Sequence, residues 1–292
     1  MNHFWGPSLI FRTVRSSTGG SLNSRFISRS RSLSILNCSP RLPFRAVPTS
    51  KTMSTAVPST ESDPRPVFFF DIDNCLYSRE CNIFGHMQEL INKFFTTHLS
   101  LSTEDAHVLH MKYYKEYGLA IEGLTRHHKI DPLEFNREVD DALPLDDVLK
   151  PDLKLRKLLE DIDKDKARLW LLTNAYVTHA KRVVKLLQVD DLFEGVTYCD
   201  YGQTPLVCKP SQEMYEKAER EAKVPSGAKR YFVDDSGLNC KHAAERGWET
   251  AHLVELGVTP PSTPASQHMI RSLEDLRICF PHLFKSGSSL RN

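Results

Sequence analysis

The sequence predicts an α/β protein: a doubly wound parallel sheet, with a helical cap inserted after the first strand. Three observations predict it. The run Val67–Phe70 is wholly apolar and leads into Asp71 and Asp73, the pattern of a strand buried on both faces that ends in charged groups. From about residue 150 apolar strand patterns alternate with helical ones, as they do in parallel sheets with helices on both faces. Between these regions, residues 82–150 show helical patterns alone, which interrupts the rhythm after one strand.

The elements follow in order. Val67–Phe70 is the first strand. Ile83, Met87, Leu90, Ile91, Phe94 and Phe95 recur at helical spacing. Ser102 with Asp105 starts a second helix, which Gly118 can end. Asp131-Pro132 starts a third, with Asp as cap and Pro in the first turn, and Pro144 closes that segment. A helix over 151–162 leads to the strand Leu169–Leu172. Ala180, Val183, Val184 and Leu187 share one face of the next helix, which stops near Gly195. A strand over 196–199, a helix over 211–223 and a strand over 231–233 follow. Residues 238–246 form a helix closed by Gly247, residues 251–254 a strand and residues 272–284 a last helix. No internal repeat stands out.

The chain has 292 residues, 40% hydrophobic and 26% charged, which suits a globular protein of one or two domains. Its charge is uneven. Residues 1–60 hold no Asp or Glu but seven arginines and Lys51, or +8; the whole chain is +1, so the remainder carries −7. A mildly acidic body excludes a general nucleic-acid-binding surface. The Arg-rich, Ser-rich, acid-free arm has the composition of a mitochondrial transit peptide. A shorter form begun at Met53 would lack it and stay in the cytoplasm. Seven cysteines without a Cys-x-x-Cys pair exclude a disulfide framework or zinc site of ordinary spacing. No apolar run approaches the roughly 18 residues of a membrane span.

Asp71 and Asp73 stand at the end of a buried strand, where open α/β sheets bind ligands. If the strand continues they share a side. Like charges that close need a cation between them, or one must hold a proton. Three further positions lie at strand ends or in loops: Thr173-Asn174, Lys209 before a helix, and Asp234-Asp235 after Tyr-Phe-Val. Singly, each suits an ordinary helix cap, a solvated lysine or an acidic helix start.

Taken in order, these residues resemble the four motifs of the haloacid dehalogenase superfamily, over about residues 67–284. The resemblance implies a Rossmann-like catalytic core at 67–81 and 151–285, with a cap at 82–150, a leader at 1–66 and a tail at 286–292. It implies Asp71 as nucleophile, forming an aspartyl phosphate, and Asp73 as general acid and base. Thr173, Asn174 and Lys209 would bind phosphate, and Lys209 would also assist catalysis. Mg2+ would be held by Asp71, Asp234 and the backbone carbonyl of Asp73, with Asp235 one layer further out. A carboxylate at position 73 points to phosphate esters rather than carbon–halogen bonds.

Longer phrases resemble the fungal and plant pyrimidine 5′-nucleotidase group of that superfamily. They are Phe-Phe-Asp-Ile-Asp-Asn-Cys-Leu-Tyr at 69–77, Tyr-Tyr-Lys-Glu-Tyr-Gly-Leu-Ala-Ile at 113–121 and Asp-Asp-Ala-Leu-Pro-Leu at 140–145, with Thr-Asn-Ala at 173–175 and Tyr-Cys-Asp-Tyr at 198–201. The expected activity is hydrolysis of nucleoside 5′-monophosphates, uridylate and cytidylate above all. The alternatives are another small phosphate ester, such as lysophosphatidate or a sugar phosphate, or a regulatory protein that keeps the fold without the chemistry. Tyr113, Tyr114 and Tyr117 can offer a stacking face for a base, and His127 and His128 a bond to a ribose; all five equally suit packing within the cap helices.

Overall fold

A computed structural model describes residues 63–287. The arm with its expected targeting role, Cys38 and Met53 therefore lie outside the described residues. Among the described residues no helix is long and apolar enough to cross a membrane.

The strands are β1 (Val67–Phe70), β2 (Arg168–Leu172), β3 (Gly195–Thr197), β4 (Arg230–Asp234), β5 (Glu249–Leu253) and β6 (His268–Ile270). They form one parallel sheet in the order β3-β2-β1-β4-β5-β6. The first strand is thus central, and the order reverses between β1 and β4. Strand periodicity sorts the side chains cleanly. Phe68, Phe70, Leu169, Leu171, Tyr231 and Val233 face one hydrophobic layer. Val67, Phe69, Leu172 and Phe232 face the other, where Met214, Tyr215, Ala218, Ala243 and Trp248 cover them. Both faces are buried, so these strands read as continuous apolar runs.

Between β1 and β2 run α1 (Ile83–Leu99), α2 (Thr103–Tyr117), α3 (Ala120–His127), α4 (Pro132–Glu138), α5 (Leu145–Val148) and α6 (Leu153–Asp161). Their boundaries follow local chemistry. The Ser102 hydroxyl accepts from Asp105 N at 3.1 Å, and Gly118 ends α2 in the left-handed region at φ 77°. Asp131 Oδ1 accepts from Leu133 N at 3.0 Å, with Pro132 opening α4. Helices α1 to α4 bury their own apolar cluster, built on Ile91, Phe94, Phe95, Tyr113, Leu124 and Phe135. Cys199, Tyr201, Leu206 and Cys208, from the segment after β3, join that cluster.

After β2 come α7 (Val177–Leu186), α8 (Gln212–Glu221), α9 (Gly237–Glu245) and α10 (Leu276–Cys279). Four details differ from the expectation. Helix α4 ends at Glu138, and Pro144 stands at the start of α5 instead. Strand β3 begins at Gly195 and stops at Thr197; the Trp170 ring lies where a Cβ on residue 195 would be, at 2.3 Å, so glycine permits this pairing. The last helix is broken into a short 3-10 turn, α10 and a second turn at Pro281–Leu283, because Pro281 cannot continue the helical ladder. Strand β6 has three residues on the sheet edge, too few to leave a periodic signal.

Candidate active site

The carboxyl ends of β1, β2 and β4 open into a cavity of about 440 Å3. Its floor carries Asp71, Asp73, Thr173, Lys209, Asp234 and Asp235, and Asn174 also lines it. The roof comes from the helices: Phe84, Met87 and Ile91 on α1, Tyr114 on α2, Leu119 and Phe135. This is the position that a reversal of strand order prepares, since the loops from adjacent strands diverge there. All the motif residues, Asp71, Asp73, Thr173, Asn174, Lys209, Asp234 and Asp235, line this cavity, whereas Tyr113, Tyr117, His127 and His128 are not among its lining residues.

Strand β1 ends at Phe70, and the chain turns through Ile72 and Asp73. The two carboxylates consequently have separate surroundings. Asp71 belongs to a buried ionic knot. Lys209 Nζ donates to Asp71 Oδ1 at 2.6 Å, to Asp234 Oδ2 at 2.7 Å and to the Leu172 carbonyl at 2.8 Å. Lys209 is 1% exposed, Asp234 0% and Asp71 6%. A buried ammonium must use all three protons, and this one does. Burial works to lower the Lys209 amine, but the charges of Asp234 and Asp71 outweigh it, and the amine is held charged above its ordinary range. Burial, reinforced by the charges of Asp234, Asp235 and Asp73, raises Asp71 well above the usual carboxylate range, with Lys209 as the opposing influence.

The backbone at Lys209 is clamped. Its N–H donates to Asn174 Oδ1 at 2.6 Å, and its carbonyl accepts from Asn174 Nδ2 at 2.8 Å. Asn174 thus fixes the lysine that reaches under the site, besides lining the cavity. Thr173 is almost fully buried, and its hydroxyl accepts from Ala175 N at 3.0 Å. Asp234 is held by Ser236 N at 2.7 Å and by Asn239 Nδ2, 3.2 and 3.1 Å from its two oxygens. Ser236 also caps α9. Asp235 pairs with the Arg79 guanidinium, whose backbone N–H donates to Glu255. Burial and the charge of Asp234 push Asp235 up to about 7.

Asp73 stands apart. Its Oδ1 accepts from the Tyr77 hydroxyl and from His179 Nε2, each at 2.7 Å. Burial works to raise this carboxyl; the charge and hydrogen bond of His179, with that of Tyr77, outweigh it and hold Asp73 below its usual value. Burial likewise works to lower His179, and Asp73 more than offsets it. Asp140, buried beside the cavity after α4, is raised to about 6 by burial, against the pull of His179.

Ligand atoms of Asp71, Asp234 and Asp235 lie within 4.8 Å of one another and could together hold a metal ion. The donors are all oxygen and the group is rich in negative charge, which fits a hard divalent cation such as Mg2+. The Asp73 carboxylate is outside this group, so any part it takes in holding a metal falls to its backbone carbonyl. The Asp235 carboxylate, expected one layer out, lies within the group.

Tyr77, Arg79, Asp140, His179 and Asn239 went unassigned in the sequence. Tyr77 and Asp140 fall inside quoted phrases, but nothing in one sequence distinguishes them from packing residues. His179 carries a faint signal, an imidazole beside the apolar stripe of α7. Of the aromatic residues offered on α2 and α3, Tyr114 lines the cavity, with its ring 6.4 Å from that of Phe84. Tyr113 and Tyr117 spend their hydroxyls on His128 and His127, at 2.8 and 2.7 Å.

Residues 66–245 match the haloacid dehalogenase-like hydrolase family. The chain belongs to that family. It is 42% identical over 205 residues to phosphate metabolism protein 8 of Saccharomyces cerevisiae, a match that covers 67% of this chain and 64% of the yeast protein. The haloacid dehalogenase-family chain therefore spans somewhat less than two thirds of that relative's length. Its fold is similar to that of a HAD phosphatase from Thermococcus onnurineus, with a TM-score of 0.51 at 16% identity, covering 73% of this chain and 97% of the other. It is also similar to the magnesium-bound putative HAD-hydrolase YfnB from Bacillus subtilis, with a TM-score of 0.50 at 13% identity, covering 74% and 99%.

Proposed function

We propose that this family member is a Mg2+-dependent phosphomonoesterase that acts on nucleoside 5′-monophosphates, pyrimidine nucleotides first. The observation that carries the reading is the division of labour between the two carboxylates of one loop. Asp71 sits with Lys209 and Asp234 on the cavity floor, whereas Asp73 stands beside them with its side-chain hydrogen bonds from the described residues both on one oxygen.

In the first step an Asp71 oxygen bonds to phosphorus as the ester P–O bond breaks. The leaving oxygen takes the electron pair and a proton from Asp73. In the second step Asp73 takes a proton from water, whose oxygen bonds to phosphorus and frees Asp71. Lys209 opposes protonation of Asp71 and offsets the charge of the phosphate. The Thr173 hydroxyl and neighbouring backbone N–H groups bind phosphate oxygens. Asp71, Asp234 and the backbone carbonyl of Asp73 would hold Mg2+, with Asp235 supporting them; when bound, the ion supplies charge neutralisation at the phosphate oxygens.

A cavity of about 440 Å3 suits a free metabolite, and the Tyr114–Phe84 pair at its roof suits a planar base. Its apolar roof residues Met87, Ile91, Leu119 and Phe135 favour a second substrate reading, a lysophosphatidate-like ester. A regulator without chemistry has no use for a buried Lys–Asp–Asp knot, which costs desolvation to maintain.

The test is release of inorganic phosphate from pyrimidine and purine monophosphates, sugar phosphates and lysophosphatidate, with Mg2+ and with a chelator. Hydrolysis should require the metal and favour pyrimidine monophosphates. Asp71→Asn should abolish it, and Asp73→Asn should trap the aspartyl phosphate. Unchanged turnover in Asp71→Asn would refute the mechanism, and no turnover of any ester would favour the regulator.

A further inference from the structure

The two oxygens of Asp73 are not equivalent. Both hydrogen bonds fall on Oδ1, from Tyr77 on its own loop and from His179 on α7. Neither donor reaches Oδ2, and Asp73 lines the cavity. The second oxygen is the one available to a substrate.

His179 is 1% exposed, and its other ring nitrogen, Nδ1, is shielded from solvent with no hydrogen-bond partner among the described residues. Asp140 mirrors it: the residue is 4% exposed, and its Oδ2 is likewise shielded and unpartnered. The charges of the two residues act on each other. Leaving one buried polar atom unpaired costs about 1–3 kcal/mol. The two atoms are not within hydrogen-bond distance of each other, and one water bridging them would remove two such costs at once. It also solves a geometric problem. An imidazole held at one nitrogen can flip, whereas one held at both has a fixed ring plane: with Nε2–H donating to Asp73, Nδ1 either donates toward an ionised Asp140 from the imidazolium or accepts from a protonated Asp140.

We propose that His179, oriented from behind by Asp140, is the positioning residue for Asp73. It pins Oδ1 so that Oδ2 meets the ester oxygen in the first step and the attacking water in the second. This rests on the phosphatase reading above. His179 is not among the residues that line the cavity, and it acts on the reaction through Asp73.

The test uses the full chain. His179→Leu removes the donor at similar volume, while His179→Gln keeps an N–H near the Nε2 position. The first step is followed by rapid mixing with two esters: the alkyl phosphate that the wild type hydrolyses fastest, and p-nitrophenyl phosphate, whose phenolate leaves without a proton. His179→Leu should slow the alkyl ester about 10²-fold and the nitrophenyl ester only several-fold, since general acid catalysis is lost for one and not needed for the other. Substrate affinity should stay within about 3-fold, and His179→Gln should recover most of the alkyl rate. Asp140→Leu should show the same selective pattern at roughly 10-fold, and it carries the test if His179→Leu fails to fold. Equal losses on both esters, no rescue by Gln, or an unchanged alkyl rate in Asp140→Leu would overturn the assignment. Failure of the wild type itself to hydrolyse either ester would instead overturn the phosphatase reading, and the assignment with it.

Discussion

Lys209 is the residue whose removal should be felt most. With it gone, Asp71 and Asp234 face each other buried and unneutralised, and breaking such a pair costs about 3–5 kcal/mol. Lys209→Met should therefore lower the unfolding free energy by that order in a chelator, and Mg2+ should recover part of the loss; denaturant titration under both conditions measures it. Wild-type stability in the chelator would contradict the role given to the knot. A second residue gives a pH signature far from the site. Burial lowers His110, packed on Phe95 with Nδ1 3.1 Å from Asn92 Oδ1, to about 4. An unfolded histidine titrates near its ordinary 6.5, so between those values the unfolded chain binds the extra proton. The contribution to stability is complete above pH 6.5 and is lost as pH falls toward 4, by on the order of 3 kcal/mol. His110→Gln should flatten the stability profile in that window, and parallel profiles for variant and wild type would contradict the burial argument. At this scale the sequence showed Asp71, Asp73, Thr173, Lys209 and Asp234 because each stands beside a strand end or a helix start. It could not show His179, whose meaning lies in a partner 106 residues away.

Helices were legible where their ends carry chemistry. Ser102, Gly118 and Asp131 mark boundaries that the backbone then honours. The last helix was not legible as broken, because the apolar spacing continues through a proline that the ladder cannot. Contacts between helices leave still less trace. Helix α3 crosses α2 so closely that a Cβ on Gly123 would lie 2.1 Å from the buried Tyr113 ring. Gly123→Ala should cost about 1–3 kcal/mol by forcing the helices apart. On α1, a Cβ at Gly85 meets only the tip of the Asn82 side chain, and Gly85→Ala should be neutral or stabilise by up to about 1 kcal/mol from helix propensity. Thermal melts of the two variants, compared with wild type, check the contrast; similar shifts would contradict it.

Across the whole molecule, the parallel doubly wound architecture was readable from alternation, but the strand order was not, since one sequence does not say which strands are neighbours. That order sets β1 between β2 and β4, so that their carboxyl ends meet at the cavity. The cavity lies between the sheet's carboxyl edge and the α1–α4 helices, and its size suits a small ester. If the proposed nucleotidase reading holds, phosphoserine in a folded protein should be hydrolysed far more slowly than mononucleotides, a difference that phosphate release from a phosphorylated protein would test; comparable rates would contradict the restriction that the roof helices place on the cavity.

The placement of β1 has one more consequence. It is made first on the ribosome, yet its neighbours are β2 and β4, and Asp71 waits for a lysine 138 residues downstream. While the helical insertion is being synthesised, this strand has no sheet to join, and its four apolar residues stay exposed. Contacts so distant in sequence form slowly, and unpaired apolar strands invite aggregation. The Lys209–Asp71–Asp234 knot is therefore assembled late in biogenesis, and nascent chains of this protein should stand in most need of a chaperone before residue 234 emerges.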